Sequence, residues 1–333
     1  MKISVVVPTV NSIDEVKECI ASLKKQSMDC TIIVVTNGTT DGTRRHLSHE
    51  HPDVVVLSFI KPLGFAGAVN AGIRYSLENG FKYVALLNND AVADRKWLAE
   101  LVKTIEEMPN VGIVTSKILR SDTNKFDTTG DYYTSWLLPY PRGRNKRDRG
   151  QYDTPEPVVS ASGGASLYRM DALKKIGLFD EDFFAYYEDV DISLRAQHAG
   201  WGVYYQPAAV VHHRIGGTSR RMKGFTTLQT MKNLPLLYIK NVPFWLLVKN
   251  LWRFNLAYTL FFIRSVSRLQ GYYAVKGFSL FVIHIPIKLL ERRRILSTSK
   301  LSTEDFDNLL VHDLPPNAKA LRKLRDFVKR KRT

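Results

Sequence analysis

Two rhythms of hydrophobic residues divide this chain of 333 residues. The first is short and strand-like. Residues 3–8, ISVVVP, form a largely β-branched run in which the small Ser4 is the one polar residue, as a parallel strand covered on both faces requires. Similar runs at 31–35, 53–59 and 83–87 predict three more strands. Between them apolar residues fall at helical spacing, predicting helices near 41–48, 66–79 and 97–108. Ser12 with Glu15 three residues on has the capping-box spacing for a further helix. This alternation predicts an α/β fold with a doubly wound, mostly parallel sheet, in which ligands bind at the carboxyl ends of the strands.

Residues 121–158 break the alternation. They are polar, rich in Tyr, Pro, Arg and Gly, with a basic run at 142–149, and read as a long excursion over the face that carries the strand ends. Regular structure resumes near 159–169 and runs to about 213. Beyond residue 214 the second rhythm begins. Residues 243–270 predict one long helix with Pro243 at its first position, and Lys249, Arg253, Arg264 and Arg268 on one arc. A second apolar stretch, 278–290, is interrupted by Pro286 and closes on Glu291-Arg292-Arg293-Arg294. Neither supplies the roughly 20 uncharged apolar residues of a spanning helix. Both therefore predict amphipathic helices lying in a membrane interface, with basic side chains on anionic headgroups. Packing on the preceding domain or on a second copy of the chain is the alternative. The expected division is a domain at 1–215 and a basic amphipathic helical region at 216–333.

Charge sharpens that division. The net charge of +16 lies wholly in the last third: residues 1–213 carry a balance of −2, residues 214–333 one of +18. Such a block implies an anionic partner, either lipid headgroups or nucleic acid. The charges are mixed with long aromatic and aliphatic stretches rather than with isolated stacking residues on a polar sheet, which disfavours nucleic acid. Apolar residues at 44% and charged residues at 24% fit a packed core. Cys19 and Cys30 make no disulfide framework and fit a reducing cytosol. Met1 leads directly into a strand, without the apolar segment and cleavage site of a signal peptide.

Four features sit where strand ends are expected. Leu86-Leu87-Asn88-Asn89-Asp90 is an apolar strand ending in two amides and a carboxylate. Asp90 could hold a divalent cation on a diphosphate, with Asn88 near ribose, phosphate or a metal-bound water. A helix cap or turn would use the same residues. Glu188, Asp189 and Asp191 cluster at the start of a helix that ends near Gly200. One of them facing the cleft could act as a general base, while complementing the helix dipole is the plainer explanation. Val210-Val211-His212-His213 ends in paired histidines, of which one could enter the cleft as a metal ligand. Two glycine-bearing loops, Asn37-Gly38-Thr39-Thr40-Asp41-Gly42 and Gly64-Phe65-Ala66-Gly67, would let the backbone approach a nucleotide. Neither GxGxxG nor GxxxxGK[ST] occurs.

In order, the chain carries SVVVPTVN at 4–11, VVTNGTTDGT at 34–43, GFAGAVNAGI at 64–73 and YVALLNNDAV at 83–92. It continues with GGASLYRMDALKKIGLFDEDFFAYYEDVDISLRAQHAGW at 163–201, PAAVVHH at 207–213 and MKNLPLLYIKNVP at 231–243. This series resembles the family 2 glycosyltransferases of the GT-A fold, and among them the bacterial rhamnosyltransferase-like enzymes. The resemblance implies single-displacement transfer of a sugar, with inversion, from a dTDP- or UDP-sugar to a saccharide or lipid-linked acceptor in cell-surface polysaccharide synthesis. It implies a nucleotide half at about 1–120 and an acceptor half at about 121–215. Asp90 and His213 would hold Mg²⁺ or Mn²⁺, and Asp189 would be the base, supported by Glu188 and Asp191. Pro8, Thr9, Asn11, Asn37, Gly67, Asn70, Asn88 and Asn89 would surround the nucleotide sugar, and Gly163 and Gly164 the acceptor. Such an enzyme would work in the cytoplasm, peripheral on the inner face of the cell membrane. The chain departs from the family pattern at Val10, Thr36 and Pro62, all in the nucleotide half. Rival readings are a sugar-phosphate nucleotidyltransferase, whose Gly-rich basic loop is replaced here by VPTVNS, and a catalytically inactive membrane scaffold on the same fold.

Overall fold

Strand β1 (Ile3–Thr9) is buried along its whole length, which is why its sequence shows no polar alternation. The computed structural model describes residues 1–214 and 222–314, together with Ala318 and Arg322. After β1 come α1 (Ile13–Lys24), β2 (Thr31–Asn37), α2 (Thr43–Glu50), β3 (Val55–Phe59), α3 (Gly64–Glu78) and β4 (Tyr83–Leu87). The predicted strands and helices agree with these bounds to within two residues. One local expectation fails. Ser12 precedes α1, but its hydroxyl donates to the Val10 carbonyl at 3.1 Å, so the capping box with Glu15 does not form.

The four strands pair in parallel in the order β3-β2-β1-β4. The chain then adds β5 (Ala91–Ala93), α4 (Trp97–Glu107), β6 (Val111–Arg120), β7 (Phe126–Thr128), β8 (Asp131–Tyr133), β9 (Pro139–Pro141) and β10 (Glu156–Pro157). Next come β11 (Ala165–Arg169), α5 (Met170–Ile176), a 3₁₀ turn (Glu181–Phe183), α6 (Glu188–His198) and β12 (Gly202–His213). Strand β11 lies antiparallel between β4 and β6, and β12 runs parallel to β6. The sheet is mostly parallel, as expected of the GT-A fold.

Each face of the sheet carries its own core. Val5 and Val7 point into one with Val16, Ile20, Trp97 and Leu101, whereas Val6 points into another with Val69, Ile73 and Ile192. Each such fully buried side chain contributes about 1.5–3 kcal/mol. Helix α3 comes very close to β1: a Cβ on Gly72 would lie 2.4 Å from Val6 Cγ1. This packing fixes the strand ends on which the site is built.

The last third forms α7 (Phe225–Asn241), α8 (Phe244–Ser267), α9 (Gly271–Ser297) and α10 (Thr303–Leu309). The helix predicted over 243–270 is α8, with Pro243 as its N-cap residue. The expectations for the second stretch need correction. Pro286 lies inside α9 and does not interrupt it, and α9 is long and apolar enough to cross a membrane. An interior proline costs about 3 kcal/mol. Packing along α7 offsets that cost. A Cβ on Gly277 would sit 2.4 Å from the Leu228 carbonyl oxygen, and Arg292 Nη1 donates to the carbonyls of Ile239 and Val242 at 2.6 Å each.

Candidate active site

Strand β4 leaves the sheet at Leu87, and the turn Asn88-Asn89-Asp90 follows at its carboxyl end. Asp90 Oδ1 lies 3.0 Å from His213 Nε2, because β12 pairs with β5 so that His213 stands opposite Ala91. The other ring nitrogen, Nδ1, is 2.9 Å from Asp127 Oδ2. On the other side of the turn, Asn88 N donates to the Gly164 carbonyl at 2.9 Å, and Gly163 N donates to Asp189 Oδ2 at 3.0 Å. The line closes through the excursion. Thr128, next to Asp127, donates to Asp131 Oδ1 at 2.8 Å, and Asp131 bridges to Ser160, whose hydroxyl reaches the Asp189 carbonyl at 3.4 Å. A ring of polar contacts thus joins Asp90, His213, Asp127, Asp131, Asp189, Gly163, Gly164 and Asn88. His212 points elsewhere, towards Asp94.

The charges in this ring are unbalanced in a useful way. Burial works against charge on His213, but the bonds to Asp127 and Asp90 outweigh it and lift the imidazole to about 10. Asp127 is itself buried, yet His213 and Arg144, 3.2 Å away, hold it below the usual carboxylate range. Asp131 goes the other way. Burial and the nearby Asp189 carboxylate raise it to about 7, more than Thr128 and Arg144 pull it down. Burial also raises Asp189, opposed by the backbone N–H groups of Gly163 and Val190. Glu188 is buried, its Oε2 has no hydrogen-bond partner, and burial and Asp189 push it well above the usual value.

A divalent cation fits the first corner of the ring. An octahedral shell with ligands at about 2.1 Å puts neighbouring donor atoms about 3.0 Å apart. Asp90 Oδ1 and His213 Nε2 have that separation, and Asp127 orients the imidazole from behind as metal-bound histidines require. A second acidic group, Asp180, Asp182 and Glu291, converges on a cation the chain already supplies. Lys288 Nζ lies 2.5, 2.8 and 2.9 Å from their oxygens.

The residues expected on the nucleotide side divide into two sets. Thr9 ends β1 beside the turn, and Asn89 Nδ2 donates to its hydroxyl at 3.2 Å. Pro8 precedes it, and Asn11 Oδ1 accepts from the Thr40 amide at 2.6 Å, which ties the β1 and β2 ends together. Asn37 and Asn70 are instead committed to backbone. Asn37 bonds the Gly64 carbonyl and the Leu63 amide, while Asn70 bonds both polar groups of Phe179. Gly67 lies in α3 against Leu63, where a Cβ would approach to 2.8 Å. Thr36, at one of the departures, is buried and donates to Ser58 at 3.0 Å.

Asp191 does not face the ring. It is fully buried under α6, within 3.0 Å of Arg195, Lys240 and Asn241. The segment before α6 is strained: Phe184, Tyr186 and Tyr187 all have left-handed backbones, with φ of 62°, 69° and 71°. Aromatic residues in that region cost on the order of 1–3 kcal/mol each and persist only where surroundings hold them. Sequence reasoning missed Asp127, Asp131 and this strained loop. The aperiodic excursion hides the two aspartates, and only their acidity within a Tyr- and Arg-rich stretch marks them.

The description "Glycosyl transferase family 2" matches residues 4–177, more than half of the chain and most of the sheet that builds this ring. The chain belongs to the family 2 glycosyltransferases. Among family relatives, it is 26% identical to an N-acetylglucosaminyl-diphospho-decaprenol L-rhamnosyltransferase of Mycobacterium tuberculosis over 216 residues, 57% of this chain and 68% of that protein. It is likewise 26% identical to the dTDP-rhamnosyl transferase RfbF of Shigella flexneri over 206 residues, 62% of this chain and 66% of that protein. The GT-A fold is shared with a mannosyltransferase of Pyrobaculum calidifontis solved with GDP-Man and Mn²⁺. The likeness has a TM-score of 0.54 and 16% identity, covering 89% of this chain and 85% of that one.

Proposed function

We propose that this transferase moves a sugar, with inversion, from a dTDP- or UDP-sugar to a saccharide or lipid-linked acceptor in cell-surface polysaccharide synthesis. The observation that carries this reading is the ring, with its Asp90–His213 pair at one corner and Asp189 at another. A single displacement needs one base on the acceptor hydroxyl and no protein nucleophile. Asp189 has the means: two backbone N–H groups fix its carboxylate, and burial keeps it more basic than a surface aspartate. Gly163 and Gly164 would line the acceptor side with bare backbone held close to Phe65, Asp189 and Asn88, since a Cβ on Gly163 would lie 3.1 Å from Phe65 and one on Gly164 3.3 Å from Asn88. Glu188, buried with a free oxygen, supports Asp189 by favouring its own neutral form. Thr9, Asn11 and Asn89 line the nucleotide side. Mg²⁺ or Mn²⁺ held by Asp90 and His213 would neutralise the charge on the departing diphosphate.

The reading divides the chain near residue 215, with the transferase core before it and a membrane-associating region after it. The supporting observations are large exposed apolar side chains on α8 and α9, among them Trp245 at 72% and Ile283 at 68%, beside exposed Arg264, Arg268, Arg293 and Arg294. Because α9 is fastened along α7, one flank faces protein and the other, among the described residues, presents exposed apolar side chains such as Ile283. That suits a helix lying in the cytoplasmic membrane interface better than one crossing it. The full chain should bind vesicles containing anionic lipid and be released as salt rises from 0.1 to 1 M, when screening shortens from about 10 to 3 Å. Trp245→Ser with Ile283→Ser should weaken binding at least several-fold in a vesicle flotation assay. Sedimentation as a dimer with no vesicle binding would assign the same face to a second copy.

Calorimetric titration with nucleoside diphosphates, with and without Mn²⁺, tests the donor side. The expected result is Mn²⁺-dependent binding of dTDP or UDP. Absence of binding to any nucleotide would favour an inactive scaffold.

A further inference from the structure

We propose that Asn233, on the first helix of the C-terminal region, is a positioning residue for the transfer step. It holds the strained 184–187 loop and thereby aims Asp189. The proposal rests on the reading of Asp189 as the base.

A positive φ swings the carbonyl of the preceding residue to one side of the chain. With Phe184, Tyr186 and Tyr187 left-handed, the carbonyls swung in this way belong to Phe183, Ala185 and Tyr186. Asn233 Nδ2 lies 2.8 Å from each of these three oxygens. Asn233 itself is fully buried, and its Oδ1 has no hydrogen-bond partner, so the amide acts here purely as a donor. Its neighbour Lys232 extends the clamp, donating to the carbonyls of Asp182 and Phe183 at 2.5 and 3.3 Å. The one carbonyl in this stretch turned the other way, that of Phe184, accepts from Ala66 N at 3.2 Å at the start of α3. Tyr187 is followed directly by Glu188 and Asp189, so relaxing any of these dihedrals re-aims the first turn of α6. Gly163 N, which bonds Asp189 Oδ2 across the cleft, would then face a displaced carboxylate.

The donor geometry makes the claim specific. Asn233→Asp keeps size and shape but presents only acceptors to three carbonyls, and Asn233→Ala removes the donors altogether. If either fails to fold, Asn233→Ser, which keeps one donor, carries the same test. Two readouts are needed. Hydrogen exchange followed by mass spectrometry should show at least about tenfold faster exchange at residues 183–189, with strands β1 to β4 unchanged. Release of nucleoside diphosphate from dTDP-rhamnose or UDP-glucose, whichever the wild type turns over faster, should show kcat reduced by about 10- to 100-fold, as expected for a catalytic group displaced by about 1 Å. Nucleotide affinity should stay within twofold, whereas general destabilisation would spread to both readouts and to affinity. Unchanged exchange at 183–189, or a kcat within twofold of wild type, overturns the proposal. Asn233→Asp is compared with Asp189→Asn in the same assay. If Asp189→Asn leaves turnover intact, it is the assignment of the base that fails, and the exchange result still decides whether Asn233 clamps the loop.

Discussion

Replacing Asp189 with Asn should lower kcat by about 10²- to 10⁴-fold, the usual contribution of a positioned general base, while nucleotide affinity stays within twofold. The substitution keeps the shape of the side chain, and the partners of Asp189 are backbone N–H groups of Gly163 and Val190 that any residue here would meet. What is lost is the ability to take a proton. The pH profile offers a second handle on the same group. A base works only when ionised, so kcat should rise as pH increases through the raised value of Asp189. Burial sets that value against the N–H groups of Gly163 and Val190, whereas Asp131 is raised to about 7 by burial and by the Asp189 carboxylate beside it. Removing one of two like charges lowers the pKa of the survivor. Asp189→Asn should therefore lower the pKa of Asp131, as followed by carboxyl NMR titration, with Arg144, Asp127 and Thr128 still in place around the site. An Asp131 that titrates unchanged in Asp189→Asn would mean that the two carboxylates do not interact. Retention of full turnover by Asp189→Asn would remove the base from the mechanism.

The second large effect is expected at the other corner of the ring. Asp90→Ala should abolish the Mn²⁺-dependent part of dTDP or UDP binding, measured by the titration described above. Asp127→Asn should behave as a milder version. Its carboxylate touches His213 rather than the nucleotide, and removing an outer partner of a metal-bound histidine typically lowers metal affinity 10- to 100-fold. The graded pair separates two explanations of one distance. If Asp90 and His213 are only a hydrogen-bonded ion pair, both variants should lower thermal stability and leave Mn²⁺ without influence on nucleotide binding in any form of the protein.

How much of this was legible before the structure follows from what each element depends on. The four parallel strands and their helices were readable because burial on both faces forces a dense β-branched run, and Ile3, Val5, Val6 and Val7 report it directly around the small Ser4. The order of Asn88-Asn89-Asp90, Glu188-Asp189 and His213 along the chain pointed to one face, since all stand at the ends of elements. Which side chains reach the cleft was not readable. Asn37 and Asn70 look identical in sequence to ligand-binding amides, but both are consumed by backbone that pairwise spacing cannot foresee. Asp191 lies two residues from Asp189 on a helix, so it points about 200° away, and the lysine it meets comes from α7. Asp127 and Asp131 sit in the one stretch without periodicity, where position is set by pairing with distant strands. The reach of α9 was misjudged because a proline rule for isolated helices was applied to a helix braced by another.

The ion network beneath α6 bears on how this chain can be divided or recombined. Asp180 meets Lys240 from α7 at 2.6 Å and Lys288 from α9 at 2.5 Å, and both ammonium groups are almost completely buried. Breaking a buried pair by removing one partner leaves an uncompensated charge and typically costs 3–5 kcal/mol. The seam near residue 215 that composition suggests is therefore a poor place to cut. A shortened core ending there would strip Asp180 of both lysines and leave Asp191 with Arg195 alone. A chimera that took its last third from another relative would inherit matching lysines only by chance. If the acceptor preference of such enzymes is ever to be exchanged as a cassette, the natural junction lies between α9 and α10, or else the cassette must carry both sides of the network at once.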